Sequence, residues 1–383
     1  MPAFPFCLPV TARMSAASSP AERLYTLDTL RGVAALSVVF WHWQHFFYVG
    51  DSPSGFDGTR QPFFASLPAL YQYGGLAVQL FFSISGFVFF WLFSQGIATG
   101  KVTWRSFAVD RFSRLYPLHL LTLGAVAALQ LAYTSNHSSF FVYPLNDGYH
   151  AALNLLLAPA WGFEKGWSFN APIWSVSIEV LLYFSFFAIC LTGRWRWLLA
   201  TAAFGLGLML YPGSYKIGSG LLCFYIGGIT QGLLWQLRRW VGTGNALLCC
   251  SCVALVAWLV QLYALDAVNT YLIMCVCFPA TLAMLAAAGL YWPGLLRGTA
   301  WVGDISYASY LLHFPLQIVF ALMFDRLGYT REIFYQGWLM LLFFSVLVPL
   351  SLACHRWFER PAQRYLRNSR LAGRSQAAKH AAT

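Results

Sequence analysis

Four histidines and one glutamate are the residues best suited to chemistry inside the long apolar runs of this sequence. His42 and His45 lie three residues apart in the first run, a spacing at which they can share a helix face. His119 and His313 lie in later runs, and Glu179 is the only acidic residue well inside a run. Ionisable side chains are costly in a membrane interior, so they are candidates for function. A histidine beside a carboxylate is a common general base, because the carboxylate orients the imidazole and stabilises its protonated form.

The depths of these residues indicate which of them can meet. At 1.5 Å per helical residue, His42 lies about 16 Å from Arg31, which marks one boundary of the first run. Glu179 lies about 8 Å from Trp174, which marks the opposite boundary of its own run. We therefore predict that His42 and Glu179 form a catalytic pair, with His313, at about mid-depth, as a second choice.

Two other interpretations of the same residues stay open. Histidine and glutamate also form purely structural hydrogen bonds between membrane helices. A metal site needs three or four ligands, and the depths of His42, His45, Glu179 and His313 scatter, so we expect no metal. The cysteines Cys249 and Cys252 form a C-x-x-C spacing without histidine or acidic neighbours, which favours packing over metal or redox chemistry.

Arginines near one boundary suggest a second kind of chemistry. Arg31, Arg111 and Arg114 flank the ends of the first and third apolar runs, and guanidinium groups suit phosphate oxygens. A phosphorylated donor could dock there, and anionic lipid headgroups are the alternative ligand. Asp28 is expected to pair with Arg31 or to cap the first helix.

The elements that must position these residues are membrane helices. Of 383 residues, 59% are hydrophobic and 10% are charged, which is too little polar surface for a water-soluble globule. We predict an all-α polytopic membrane protein with about ten transmembrane helices, since a bilayer core needs about 20 helical residues. The predicted spans are 30–49, 75–95, 116–133, 174–192, 196–212, 217–236, 245–264, 269–290, 304–325 and 334–354.

The basic residues predict how these spans are oriented. With ten spans both termini share a side, and 19 of the 24 Lys and Arg residues fall on that side. The positive-inside rule therefore places both termini in the cytoplasm and explains the net charge of +11 without nucleic-acid binding.

One loop on the predicted outer side stands out for its length. Residues 134–173 contain a short apolar stretch, 151–161, which predicts an interfacial or re-entrant helix. The polar and aromatic residues in and around this stretch could meet a ring-shaped polar acceptor or simply anchor the loop at the interface. They are Asp147, His150, Trp161, Glu164 and Trp167.

Five motifs in order make the sequence resemble the acyltransferase 3 family, integral membrane enzymes that acylate hydroxyls of cell-surface glycans and related acceptors. The resemblance runs from about Leu27 to Arg360. It implies a transmembrane acyltransferase domain over 27–360. From composition and the distribution of basic residues we predict a cytoplasmic, disordered tail over 1–26 and a basic cytoplasmic tail over 361–383. The motifs are LDTLRGVAA at 27–35 with His42 after it, FFSISGF at 81–87, RFSRLYP at 111–117, WSVSIE at 174–179, and SY at 306–307 with LLHFP at 311–315.

The resemblance implies an O-acyltransferase that takes an acyl group from acyl-CoA, typically acetyl-CoA, on the cytosolic side. The acceptor is then a hydroxyl of an extracytoplasmic glycan or related molecule, in a protein of the inner membrane. His42 would be the general base oriented by Glu179, although a covalent acyl-histidine relay is also open. Arg31, Arg111 and Arg114 would bind the donor. Supporting residues would be Asp28, Ser85, Gly86, Trp174 and His313.

Two departures from the family pattern and two rival functions remain. The chain has Asp110 where a basic residue is frequent, and Val180-Leu181 where Glu-Gln is frequent. Gly86 is expected to allow either close helix packing or backbone approach to the acyl arm.

A multi-span transporter of a small polar or anionic substrate, or a lipid-binding scaffold, would also need buried ionisable residues.

Overall fold

The protein is a bundle of α-helices in a computed structural model that describes residues 23–265 and 267–368. Within these residues the β structure consists of one short hairpin, Tyr48–Val49 paired with Ser52–Pro53. The helices are α1 Tyr25–Trp41, α2 Pro68–Tyr73, α3 Ala77–Leu92, α4 Ser94–Ala98, α5 Trp104–Thr134, α6 Gly148–Leu155, α7 Trp174–Leu191, α8 Arg196–Leu210, α9 Tyr215–Leu259, α10 Thr270–Leu272, α11 Phe278–Tyr291, α12 Ala300–Asp304, α13 Ser306–Arg326 and α14 Gly337–Cys354.

Seven helical stretches in the described residues are long and apolar enough to cross a membrane, which confirms an all-α, multi-pass membrane protein. One of them, Tyr215–Ala264, has 50 residues and turns at Gly242, whose φ is 80°. Helices α1 and α8 have only 17 and 15 residues. The seven stretches are Pro68–Leu92, Trp104–Thr134, Ala171–Leu191, Tyr215–Ala264, Thr270–Tyr291, Ser306–Arg326 and Gly337–Asn368.

Alternating helix directions give the bundle two ends. The loop end carries the segments 48–67 and 134–173, and the tail end carries residues 93–103 and 355–368. At the loop end Arg60 pairs with Glu332 at 2.6 Å. At the tail end Arg367 pairs with Asp110 at 2.9 Å. The basic residue expected at position 110 is thus replaced by a carboxylate that holds the C-terminal helical segment.

The closest approach of two helix backbones at glycine residues in the described part of the chain joins α3 to α9. A Cβ on Gly86 would lie 1.8 Å from the carbonyl oxygen of Phe224, and a Cβ on Gly227 would lie 2.1 Å from that of Ser83. The two backbones therefore touch in a way that only glycine allows, as is common where membrane helices pack closely. The close packing expected of Gly86 is therefore present, and it fixes the rotation of α3, which carries Ser85.

A proline in α13 connects this helix to the long loop. Pro315 has no N–H, so it leaves the carbonyl of Leu311 without its helical partner. The side chain of Asn170 donates to that carbonyl at 3.0 Å. Freed backbone groups in membrane helices are commonly satisfied in this way, and here the bond holds the loop beside His313.

The described residues bear on the predicted region boundaries in two places. Helix α1 begins at Tyr25, just before the predicted boundary at 27, and the last helix continues to Asn368, so the predicted C-terminal tail begins as helix. The predicted disorder of the N-terminal tail and the remainder of the C-terminal tail fall on residues 1–22 and 369–383, which lie outside the described residues.

Candidate active site

Three neighbouring cavities follow one another through the bundle. The loop cavity, of about 580 Å³, lies at the loop end and is lined by His42 and His45. The middle cavity, of about 110 Å³, is lined by Glu179, and Tyr310 lines both of these cavities. The tail cavity, of about 420 Å³, shares Arg31, Arg114 and Tyr307 with the middle cavity. The cavities therefore lie in a row between the two ends of the bundle, and each shares lining residues with the next.

A chain of hydrogen bonds begins at His42 in the wall of the loop cavity and continues behind it. Helix α1 ends at Trp41 and continues as a 3₁₀ helix over His42–Phe47. The Nδ1 of His42 lies 2.9 Å from the Nε2 of His313, and the Nδ1 of His313 lies 2.6 Å from the carbonyl oxygen of Tyr310. His313 is fully buried, so it stands behind His42 and away from the cavity.

The end of this chain determines where its protons lie. A carbonyl oxygen can only accept, so we assign the proton of a neutral His313 to Nδ1, which donates to Tyr310. The Nε2 of His313 must then accept from the Nδ1–H of His42. This leaves Nε2 of His42 unprotonated on a ring that lines the loop cavity, which is the arrangement of a general base with a second residue orienting it.

Gln317 fixes the 3₁₀ turn that carries the histidines. Its side-chain amide donates to the carbonyl oxygen of His42 at 2.8 Å, and its side-chain oxygen lies 3.2 Å from Nδ1 of His45. Residues three apart eclipse in a 3₁₀ helix, and the rings of His42 and His45 are accordingly 4.6 Å apart. The expectation that these two histidines share a face is confirmed.

The structure does not show the predicted direct hydrogen bond between His42 and Glu179. Glu179 lines the middle cavity and accepts a hydrogen bond from Ser85 at 3.2 Å, whereas His42 bonds to His313. Glu179 and His313 both lie at depths where they could meet His42, but the rotation of α7 about its axis turns Glu179 toward α3 and α5. The carboxylate there also lies close to the hydroxyl of Tyr183.

The three predicted donor-binding arginines all line the middle cavity. The guanidinium of Arg111 lies over the rings of Phe89 and Phe93, 5.2 and 5.0 Å from their centroids, and its buried Nε has no hydrogen-bond partner. Arg31 already has hydrogen-bond partners within the protein, because it donates to Ser306 and to the Gly303 carbonyl at 3.0 and 2.9 Å.

Asp28 behaves as predicted, but it has a second arginine partner. It pairs with Arg31 at 3.4 Å and, more closely, with Arg23 at 2.5 Å. Asp28 is therefore part of an ion-pair network at the tail end.

The long loop contributes unevenly to the loop cavity. Trp167 lines the cavity, whereas the indole of Trp161 donates to the carbonyl of Ser177 at 2.8 Å. Glu164 pairs with Lys216. The short helix predicted at 151–161 lies instead at Gly148–Leu155, where the Asp147 side chain caps it by accepting from the backbone N–H of His150 at 2.8 Å.

The remaining wall of the loop cavity contains seven aromatic residues as well as Asp51, Lys165 and several aliphatic residues. The buried Tyr143 belongs to this wall. Burial raises the pKa of the Tyr143 phenol well above its usual range, so its hydroxyl remains a hydrogen-bond donor at neutral pH. The wall aromatics include Trp41, Tyr48, Tyr143, Trp167, Trp174, Tyr215 and Tyr310.

Two residues of the site were not identified from the sequence. Tyr310 and Gln317 lie three residues before and four residues after His313, and both contact the histidine chain. Residues at these spacings share a helix face, so the pattern around His313 could have indicated them. The hydroxyl of Tyr310 also donates to the carbonyl of Pro172 at 2.7 Å, where the loop and middle cavities meet.

Fold and site together define a multi-pass membrane protein with buried histidines in one cavity and arginines in the next. The family model described as an acyltransferase domain matches residues 24–355. The chain therefore belongs to the acyltransferase 3 family and is an O-acyltransferase by class. This membership separates it from the transporter and scaffold alternatives.

Two curated relatives are similar to the chain over different shares of its length. The chain is 27% identical to "Acyltransferase MdmB" of Streptomyces mycarofaciens over 90% of this chain and 92% of that protein. It is 38% identical to "Protein 2 in picA locus" of Rhizobium radiobacter over 29% of this chain. The chain spans about half of that second relative, 47% of its length. No solved structure matches the chain.

Proposed function

We propose that the protein transfers an acetyl group from cytosolic acetyl-CoA to a hydroxyl of an extracytoplasmic glycan or related acceptor. The observation that carries the proposal is the hydrogen-bond chain from His42 through His313 to the Tyr310 carbonyl. It provides an imidazole able to take up a proton at the loop cavity, and the neighbouring middle cavity contains arginines suited to a phosphorylated donor.

The proposed orientation has ten spans, with the tail end in the cytosol and the loop end outside. A helix of 45 residues would be about 68 Å long, twice the hydrocarbon core, so the break at Gly242 divides it into two spans. Helices α1 and α8 then supply the other two spans beyond the seven. The distribution of Lys and Arg supports this orientation.

In the proposed mechanism, the acceptor hydroxyl in the loop cavity donates its proton to Nε2 of His42. The hydroxyl oxygen attacks the thioester carbonyl, and the resulting tetrahedral intermediate expels the thiolate of CoA. The protonated His42 returns its proton to that thiolate, so the products are the ester and free CoA. His313 and the Tyr310 carbonyl stabilise the imidazolium while it exists.

The donor would reach His42 along the series of cavities. The middle cavity, at about 110 Å³, suits a narrow flexible arm such as pantetheine and is too small for a nucleotide. Arg111 and Arg114 would bind the phosphate at the start of that arm. Glu179, which attracts Arg111 electrostatically, would position this arginine rather than His42.

The loop cavity favours a ring-shaped polar acceptor. Its aromatic wall offers flat apolar faces, while Asp51, Lys165 and the Tyr143 hydroxyl offer hydrogen bonds. Pockets that combine aromatic faces with a few polar groups bind and orient a specific ligand. A sugar hydroxyl presented to His42 fits this description.

Mass spectrometry of surface glycans tests the function directly. Cells that express the protein should carry acetyl esters that are absent from cells without the gene. Cells that express well-inserted His42→Gln should resemble the latter. Identical glycans in all three strains, together with no cleavage of acetyl-CoA by the purified protein, would overturn the proposal.

The orientation has its own test. A reporter fused after Thr383 should report a cytosolic location, and a cysteine introduced at Ser138 should react with an impermeant label from outside. Labelling of Ser138→Cys only after the membrane is opened would reverse the orientation and the side from which the donor enters.

A further inference from the structure

The tail cavity has an apolar wall and a basic wall. The apolar wall includes the indole of Trp91. The arginines come from three separated parts of the chain, including the helical segment that follows α14. They are Arg23, Arg31, Arg114 and Arg360.

Two carboxylates hold most of these arginines in place. Asp304 lies 2.6 Å from Arg23 and 3.7 Å from Arg360, and Asp28 bridges Arg23 and Arg31. Each carboxylate thus separates two guanidinium groups that would otherwise repel. Arg114 makes no ion pair within the described part of the chain, and it lines both the tail and the middle cavity.

A third carboxylate of the cavity has a hydrogen-bond partner on its own helical segment. Glu359 lies 2.8 Å from Nδ1 of His355, one turn earlier on the same helical segment. The lining of the tail cavity contains four arginines and three carboxylates, so positive charge is in excess. The cavity therefore favours an anion that can replace the carboxylates as the partner of several guanidinium groups at once.

We infer that the tail cavity binds the phosphorylated nucleotide end of CoA, with Arg360 and Arg23 as donor-binding residues in addition to the three arginines of the middle cavity. The inference rests on the proposed use of acyl-CoA. Arg360 lies beyond the 24–355 match to the family model, and Arg23 lies just before it, so neither residue belongs to the motifs discussed above.

Size and chemistry together select this part of the donor. The tail cavity, at about 420 Å³, is roughly four times the volume of the middle cavity. A purine ring gains from contact with an aromatic face such as that of Trp91. A diphosphate and a ribose 3′-phosphate each suit guanidinium groups. The shared residues Arg114 and Tyr307 mark the point where the pantetheine arm would pass into the middle cavity.

Binding of adenosine 3′,5′-bisphosphate, which carries the nucleotide end without the thioester arm, tests the inference. The full-length protein in phosphatidylcholine nanodiscs should bind this probe in competition with acetyl-CoA. Arg360→Gln should weaken the binding by about five- to twentyfold. This loss is at or below the low end for a charged hydrogen bond, because Arg360 is half exposed. Arg364→Gln is the matched control, since Arg364 is exposed on the same helical segment and should leave binding unchanged.

A second variant separates donor binding from a structural role for the ion pairs. Asp304→Asn removes the carboxylate that competes with phosphate, so it should tighten the binding of the bisphosphate, whereas Arg360→Gln loosens it. Should both variants weaken binding equally, Arg360 would act only as a structural partner of Asp304 and the inference would be overturned. The same conclusion would follow if Arg360→Gln bound the probe as tightly as the wild type.

Two further arms separate this inference from the proposed function and from lipid binding. S-acetyl-4′-phosphopantetheine lacks the nucleotide, so Arg360→Gln should leave its KM in thioester cleavage unchanged while raising that of acetyl-CoA. Cleavage of neither thioester by the wild type would contradict the proposed function itself. Loss of bisphosphate binding when phosphatidylglycerol is added to the nanodiscs would assign the arginines to anionic headgroups and overturn the inference.

Discussion

The loop cavity and the tail cavity lie at opposite ends of the same helices, and their polar groups are arranged on different principles. At the loop end, His42 and His313 form a chain that ends on a backbone carbonyl, and no carboxylate in the described residues hydrogen-bonds to it. At the tail end, every carboxylate of the lining is paired with a basic side chain.

The difference reflects two tasks. A general base must be able to gain a proton during the reaction, so a permanent charge beside it is unnecessary when a second imidazole and a carbonyl can share the charge that develops. An anion-binding cavity instead needs permanent positive charge, and carboxylates keep such charge stable until the anion binds. The middle cavity, with Glu179 and Arg111, separates the two regions.

The largest expected effect is at the loop end. His42→Gln keeps a polar side chain but cannot accept the proton of the attacking hydroxyl, so kcat should fall by about 10²–10⁴-fold, the usual contribution of a general base. The inserted amount should not change. His119→Gln is the control, because His119 bonds to the Asn154 carbonyl away from the cavities. A well-inserted His42→Gln protein within a few-fold of wild-type kcat would disprove the assignment.

Double variants sharpen the comparison, since they test which residue works with His42. His313→Gln should lower kcat by about 10- to 100-fold, less than loss of the base itself. Adding it to His42→Gln should cost little more, because residues that act as one unit are not additive. Glu179→Gln lies in another cavity, so its loss should multiply with that of His42→Gln. The reverse pattern in the kcat values would restore the His42–Glu179 pair expected from the sequence.

The next effect concerns the donor. Arg111→Gln or Arg114→Gln should raise the KM for acetyl-CoA by about 10- to 150-fold, corresponding to the roughly 1.5–3 kcal/mol of a lost charged hydrogen bond. Lysine should restore part of the loss, because it lacks the planar fork. Arg105→Gln, exposed near the start of the same helix, is the control. An unchanged KM in both Gln variants would return these residues to lipid headgroup contact.

The smallest expected effect is on packing between the two regions. Gly86→Ala places a Cβ against the Phe224 carbonyl, so α3 must move away from α9, at a cost of about 1–3 kcal/mol. The unfolding temperature in detergent should fall, and the KM for the donor should rise more than the affinity for the acceptor changes, because Ser85 moves with α3. Gly124→Ala, with open space at its Cβ, should change neither. Equal thermal stability of the two variants would contradict the contact.

Much of the fold and part of the site could be predicted from the sequence. Apolar runs about 20 residues long identify membrane helices because the bilayer fixes their length, and the helical rise then gives the depth of each polar residue. Depth alone put His42 far from Arg31 and grouped Arg111 and Arg114 near one boundary. The i, i+3 spacing likewise predicted that His42 and His45 share a face, and the structure confirms it.

Tertiary structure alone decided which of the residues at similar depth became partners. His42 could reach either Glu179 or His313, and the choice depends on how each helix is rotated about its axis. That rotation is set by long-range contacts, such as Gly86 against Phe224 and Asn170 against Leu311. The spacing of residues along the sequence specifies their depth in the membrane. Which faces of two helices meet depends on packing between segments far apart in the chain, so it cannot be read from local spacing.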